Sequence, residues 1–422
     1  LLAAIGLSHT FSFFAAVAYS LFYLWPRRDA LKVAPPVIAT GILAFLLLCF
    51  WGLPLPSRLI WTSEFSMFWR IADWKEVLPE PLWPAAILSA ANVLAMLVRV
   101  KEFRAERHGL LLFNFCGGAL LYFIVPAIGF PDIRFIPVSQ LFLCLLAADM
   151  IFWLGSAFGH RLVFASCILL AGIAWGDSHI GYIPSWLKWN YSGYERKPTW
   201  KLFEAINEHI KGDLNDPRVM FEHSQAHNRF GSSRAFENIP LFSGRSTLEG
   251  VFHQASQNSP FIFYLQSEAS ERGSGPFPQY TYTRMNADKA LPHLHMYNVS
   301  DLVVVSEKAK AAYEAHPNFE RTFRSGAYEV FRVLGGDPRY VIPAANEPVL
   351  YRGKDWKLAF YRWFRHPDLL GTPLVPEEMI SSDQARRFEL RTDSIRRLDH
   401  VPLVGVDECE VTSTLEQYRI EF

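Results

Sequence analysis

The chain has 422 residues, its 41 acidic side chains balance 41 basic ones, and half of its residues are hydrophobic. Zero net charge gives no footing for a function on nucleic acid or any other polyanion. The charges are unevenly placed: 21 of the 82 lie up to Gly176 and 61 in the 246 residues beyond it, so the two parts are built for different solvents.

Up to Gly176 there are six apolar runs near the roughly 20-residue length that a bilayer-spanning helix needs. They cover approximately Leu1 to Leu24, Val33 to Leu53, Trp83 to Val100, Gly109 to Gly129, Phe135 to Ser156 and Arg161 to Gly176. Between them the basic residues sort to one side: Arg27, Arg28 and Lys32, then Lys101, Arg104 and Arg107, then Arg161. The positive-inside rule makes those loops cytoplasmic. The Leu53 to Trp83 loop, the turn "PDIR" and everything after Gly176 are then outside. Trp51, Trp61, Trp69, Trp74, Trp83, Trp175 and Trp186 gather at the outer ends, as an interfacial aromatic belt does.

The polar residues of this part are the first candidates for function. Arg134 opens the fifth run, two positions after Asp132. It reads either as an interfacial anchor paired with that carboxylate or as a planar cation for the phosphate head of a lipid whose tail stays in the bilayer. His9 and Thr10 lie at a similar depth, as a helix-to-helix hydrogen-bonding pair or with His9 facing the same cavity. Gln140 sits six residues inward of Arg134. Asp149 lies deeper, where pairing with Arg99 or Arg161 is the simpler expectation. The loop "WTSEFSMFWRIADWKEV" sets Glu64, Asp73 and Glu76 among aromatics. That pattern belongs equally to an amphipathic interfacial helix and to a sugar site, where carboxylates take hydroxyl protons and ring faces cover the sugar.

"IPSWLKWNYSGYERKPTW" connects to the polar region. There "TWKLFEAINEHIKG" predicts a helix capped by Thr199 and stopped by Gly212, "PRVMFE" a strand, and "SPFIFYLQSEASE" a helix with Pro260 in its first turn. "DLVVVS" and "EKAKAAYEAHP" predict a strand running into a helix, and "FERTFRSGAYEVFRVL" a hairpin turning at Ser325 and Gly326. Four of the five cysteines fall in the apolar runs, which leaves Cys409 alone outside and no intrachain disulfide for the polar region. His223 and His227 have the i, i+4 spacing of a zinc pair, but a third ligand is missing from the pattern. Arg234, Glu237 and Arg245 lie in a dense polar stretch that reads as a hydrated surface or as the lining of a carbohydrate groove. No Walker loop, dinucleotide glycine pattern or nucleophile elbow occurs.

The segments "LSHTFSFFAAV", "FPDIRFIPVSQLFL", "WNYSGYERKPTW", "RVMFE", "RAFENIPLFSGRSTLEGVFHQASQNSPFIFYLQSE" and "NVSDLVVVS", in that order, resemble a family of prokaryotic multi-span membrane proteins labelled "6-pyruvoyl-tetrahydropterin synthase-related". The "FENIPLFSGRSTLEG" block is the most specific part. The label does not imply pterin chemistry, because a pterin synthase needs three zinc-binding histidines with a cysteine nearby, and Cys409 is on no such spacing. These proteins look like C-type glycosyltransferases, which take a sugar from a polyprenyl-phosphate carrier on the outer face of the membrane. The resemblance carries Arg134 and His9 over as donor-phosphate residues.

The family's key acidic residue belongs to a first outer loop upstream of Leu1, since the sequence reads as a piece of a longer chain. The catalytic base is therefore not assigned. The only cofactor with a place in this scheme is a divalent metal at that loop.

The expectations are as follows. The fold is an all-α membrane bundle of about six spans (1–180), then an extracytoplasmic mixed α/β (α+β) region in two parts, 181–296 and a β-rich 297–422. The activity is transfer of a sugar from a polyprenyl-phosphate-linked donor at Arg134 and His9 to a glycan or glycolipid acceptor. Glu64, Asp73, Arg234, Glu237 and Arg245 line the acceptor groove. The partners are the lipid bilayer of the inner membrane, the donor and the acceptor, with no nucleic acid. Two other readings are a non-catalytic, membrane-anchored protein that binds glycans or partner proteins, and a lipid-linked-sugar transporter.

Overall fold

The computed structural model describes residues 1–404 apart from 25–29, 64–70, 99–104, 129–132, 158 and 251–255, and beyond 404 only 413–414 and 417–418. It divides into two units, Leu1–Lys188 and Trp189–Phe422.

The first unit is helical. Its elements are α1 (Leu2–Ser8), α2 (Thr10–Ser20), α3 (Ala30–Gly52), α4 (Pro54–Arg58), α5 (Trp74–Val77), α6 (Trp83–Val98), α7 (Ala105–Ile124), α8 (Ile136–Ala157), α9 (Arg161–His179) and α10 (Tyr182–Tyr191). Among the described residues four helical stretches are long and apolar enough to cross a membrane: Leu31–Arg58, Glu80–Val98, Ile133–Ala157 and Leu162–His179. His108–Ile124 is a shorter apolar helix. Leu46, Phe50, Leu97, Phe123, Leu162 and Leu170 all face outward from these helices. Water does not tolerate so continuous an apolar surface, so the unit is that of a membrane-associated protein. The run Leu1 to Leu24, expected as one span, is broken at His9. Its backbone is extended (φ −163°, ψ 115°) and its ring accepts the Ser12 N–H at 3.3 Å, capping α2.

Where every neighbour is apolar, association rests on small residues and interhelical hydrogen bonds. α8 packs between α6 and α7, burying Ser139, Leu143, Leu146 and Met150 along one stripe. Ser89 and Asn92 of α6 donate to the Leu143 and Leu146 carbonyls (2.6 and 2.8 Å), and Ser139 donates to the Phe115 carbonyl (2.9 Å). Gly118 of α7 lies so close to α8 that a Cβ there would collide with Ser139.

The second unit begins with α11 (Trp200–His209), β1 (Arg218–Phe221), α12 (Ile239–Ser243), α13 (Ser259–Ala269) and α14 (Ala287–Met296). It continues with β2 (Val299–Val304), α15 (Glu307–Glu314), β3 (Phe319–Ser325) and β4 (Tyr328–Val333). The sheet order is β1-β2-β4-β3, with β1 and β2 parallel and the other pairs antiparallel. β2 is buried on both faces, and its alternation divides the core. Leu302 and Val304 pack with Leu265, Leu294 and Tyr313 on one side, and Val303 with Phe203, Ile206 and Phe236 on the other. The β3–β4 hairpin turns through Gly326 at φ 57°, a left-handed position that glycine adopts without strain. The domain boundary expected at 296/297 falls between β1 and β2, which pair. Residues on both sides of it share one sheet.

A second sheet follows: β5 (Val349–Tyr351), α16 (Trp356–Phe364), β6 (Leu374–Pro376), α17 (Ser382–Ala385) and β7 (Arg391–Thr392), in the order β6-β5-β7 and all parallel. His293 of α14 bonds the Phe364 carbonyl of α16 at 2.6 Å, tying this sheet to the first.

Candidate functional site

In the helical unit, several of the residues singled out from the sequence gather at one end. Arg134 is exposed in the tight turn Ile133–Phe135 that leads into α8. Two turns on, Gln140 donates to the Val77 carbonyl of α5 at 2.7 Å, which brings the short helix capped by Asp73 to the same end. Trp74 stacks on Trp83 at 5.6 Å, and Trp175 of α9 donates to the Glu80 carbonyl at 3.2 Å. Phe135 packs with Ala15 of α2, and His9 lies six positions before Ala15.

The carboxylates at this end have structural tasks. Asp73 accepts the Lys75 N–H at 3.0 Å, Glu76 accepts the Ala72 and Asp73 N–H groups, and Glu80 pairs with Lys75 at 2.8 Å. Glu64 and Asp132 lie outside the described residues. Asp149, deeper in the bundle, is bonded by His108 (2.7 Å) and Asn92 (3.3 Å). Arg99 and the Arg161 side chain, its expected partners, are outside the described set.

In the second unit the polar chemistry collects where the parallel strands β1 and β2 end. Glu222 follows β1 directly and is 1% exposed. Its carboxylate accepts the backbone N–H groups of Val305 (2.8 Å) and Ser306 (2.9 Å) and the Ser306 hydroxyl, fixing the turn from β2 into α15. The next residue, His223, donates its backbone N–H to Ser270 Oγ at 2.9 Å. Its ring Nε2 lies 2.9 and 2.8 Å from the two oxygens of Glu249, which is almost wholly buried. Gln266 of α13 also donates to Glu249. The Ser274 N–H approaches His223 Nδ1 at 3.4 Å.

A buried carboxylate on Nε2 orients the imidazole with an N–H toward Glu249, and Nδ1 accepts the Ser274 N–H. Among the described residues no hydroxyl or thiol bonds this ring. A nucleophile–base pair is therefore not assembled.

His223 and His227 do not converge on a common point. His227 is fully buried, with Nε2 donating to the Glu222 carbonyl (2.6 Å) and Nδ1 facing the Tyr328 hydroxyl (3.1 Å). Burial pushes its pKa down to about 4, so it is neutral. Among the described residues no three His, Cys, Asp or Glu side chains are grouped to hold a metal.

Of the five residues assigned to the groove, Arg234, Glu237 and Arg245 belong to this unit, and the first two lie beside this dyad. Arg234 pairs with Glu237 and donates to the Gly250 carbonyl (3.2 Å), next to Glu249. Arg245 turns inward. It is 7% exposed and binds Asp301 (2.8 Å), Ser300 (2.6 Å) and the Pro217 carbonyl (2.9 Å). It acts as a brace between the start of β1 and β2. The Glu249–His223–Gln266 cluster was not legible in the sequence: its members are 26 and 17 positions apart and share no motif.

Residues 201–344 match a family described as a domain of unknown function (DUF8559), a stretch that holds all of α11 but its first residue and the whole four-stranded sheet with the dyad at its edge. Comparison with curated proteins and with solved structures gave no match.

Proposed function

We propose that the chain is a membrane-embedded glycosyltransferase that takes a sugar from a polyprenyl-phosphate donor and passes it to a glycan or glycolipid acceptor outside the cytoplasm. In this reading the helical unit spans the inner membrane about six times. The end bearing Arg134, Asp73 and the tryptophans faces outward, and the second unit is extracytoplasmic. The observation that carries the proposal is the gathering, at one end of an apolar bundle, of an exposed guanidinium, a carboxylate-capped loop helix and three tryptophans. A guanidinium at that depth meets the phosphate of a lipid carrier with its paired N–H donors while the prenyl tail lies along the apolar helices. It stabilises the phosphate as it leaves, the charge that develops in an inverting displacement. His9 is the second donor-side residue. In the second unit Arg234, Glu237 and the His223–Glu249 dyad are the polar groups for an acceptor's hydroxyls.

Arg134→Ala in the full-length protein tests this by transfer from a labelled polyprenyl-phosphate sugar. Loss of one such contact to developing charge lowers turnover by about 10²- to 10³-fold, and unchanged turnover removes Arg134 from the mechanism. A second reading, a membrane-anchored protein that binds glycans without catalysis, draws on the structural tasks of Asp73, Glu76 and Glu80. It expects tight acceptor binding and no transfer by the wild type.

A further inference from the structure

The small parallel sheet carries a site of its own. From the central strand β5 the chain goes out through α16 to β6 on one side, then crosses through α17 to β7 on the other. In parallel sheets with such a reversal, the carboxyl ends of the strands around the central one border a crevice that helices do not cover, and ligands bind there. At this crevice Arg352 follows β5 directly and Glu377 follows β6 directly. With Ile380, Ser382, Arg386 and Arg391 they line a cleft of about 430 Å³, within the range that small organic ligands occupy.

The charge of the cleft is one-sided. Arg352 Nε is 3.5 Å from Glu377, and Arg386 is 3.8 Å from the outward-facing Asp383. The guanidinium of Arg391 donates to the Ala385 carbonyl at 3.4 Å and has no carboxylate within ion-pair distance among the described residues. The lining therefore carries three arginines against one carboxylate. A planar carboxylate ligand occupies one guanidinium fork, whereas a phosphoryl group offers three oxygens at tetrahedral angles and engages several forks together. The cleft is also much larger than a bare phosphate, and Ile380 gives it an apolar wall.

We infer that this cleft binds a phosphate ester, with the phosphoryl group held by Arg352, Arg386 and Arg391 and the organic part lying toward Ile380. The inference does not depend on the transferase reading.

Calorimetric titration of the full chain in detergent tests it with three probes: glucose 1-phosphate, dihexanoyl phosphatidic acid below its micellar concentration, and citrate. The first two are expected to bind saturably. Arg391→Ala weakens them by about tenfold or more, the loss of one charge-assisted contact. Glu377→Gln strengthens them several-fold by removing the opposing charge, a gain that a folding defect cannot imitate. Tighter binding of the phosphatidic acid names a lipid headgroup as the source, and tighter binding of the sugar phosphate names a soluble ester. Three results overturn the inference: no saturable binding of either phosphate, citrate binding as tightly as both, or affinities untouched by Arg391→Ala and Glu377→Gln.

Discussion

Replacing Asp301 by Ala separates a structural Arg245 from a substrate-binding one. The Asp301 carboxylate is 4% exposed and accepts from Arg245 (2.8 Å) and from Ser300 (2.7 Å), with Arg332 at 3.8 Å. Removing it leaves the Arg245 guanidinium buried with carbonyl and hydroxyl oxygens but without its counter-charge. Breaking a buried pair from one side costs about 3–5 kcal/mol. For a unit of this size each kcal/mol moves the midpoint by about 2–4 °C, so a fall of about 6–20 °C is expected. Lys201→Ala, which removes the exposed Lys201–Glu204 pair at 2.8 Å, is the control and costs about 1 kcal/mol or less. Pulse proteolysis over a temperature series, scored on fragments from residues 189–404 of the full chain in detergent, reads the second unit separately. The double variant Arg245→Met/Asp301→Leu recovers most of the loss, because it leaves no buried charge unpaired. A destabilisation by Asp301→Ala no larger than that of Lys201→Ala refutes this account of Arg245 and returns it to the groove.

Two further predictions concern His227 and Gly118. The folded chain holds His227 neutral down to about pH 4, whereas an unfolded chain protonates histidine near pH 6.5. The unfolded state therefore binds the extra proton in that window, and stability falls as pH drops from about 6.5 to about 4, by roughly 3 kcal/mol in total. His227→Phe removes this component, which urea midpoints of wild type and variant compared across the window measure; parallel curves contradict it. In the bundle, Gly118→Val drives a side chain into Ser139 and parts α7 from α8. Its expected outcome is a lower yield of folded protein in detergent and earlier thermal aggregation, with Gly41→Val, a position open around its Cα, as the matched control.

The apolar helices were legible because a bilayer demands long uninterrupted runs, and α3, α6, α8 and α9 fall close to the limits read from hydropathy. The break at His9 was not, since Ser8, His9 and Thr10 sit inside an otherwise apolar run of spanning length, and the cap that His9 provides by accepting the Ser12 N–H shows only in the fold. In the second unit the strand–helix pair β2–α15 and the β3–β4 hairpin were readable from alternation and from Gly326. The second sheet was not, because strands of two or three residues carry no period. Arg245 looked like a surface residue among Ser, Gly and Thr; its partner Asp301 lies 56 positions away, beyond any local pattern. The same distance problem hid Glu249 behind His223.

The pairing of Arg218 with Val299 sets a timetable for biosynthesis. β1 is complete well before the ribosome reaches β2, its ladder partner, 81 positions later, although the single bridge from Val219 to Thr247 on its other edge can form sooner. At about 5–20 residues per second the edge of β1 that faces β2 waits roughly 4–16 s for its partner. During that interval β1 is open to strand exchange with other chains, and a holding chaperone there raises the yield of native protein.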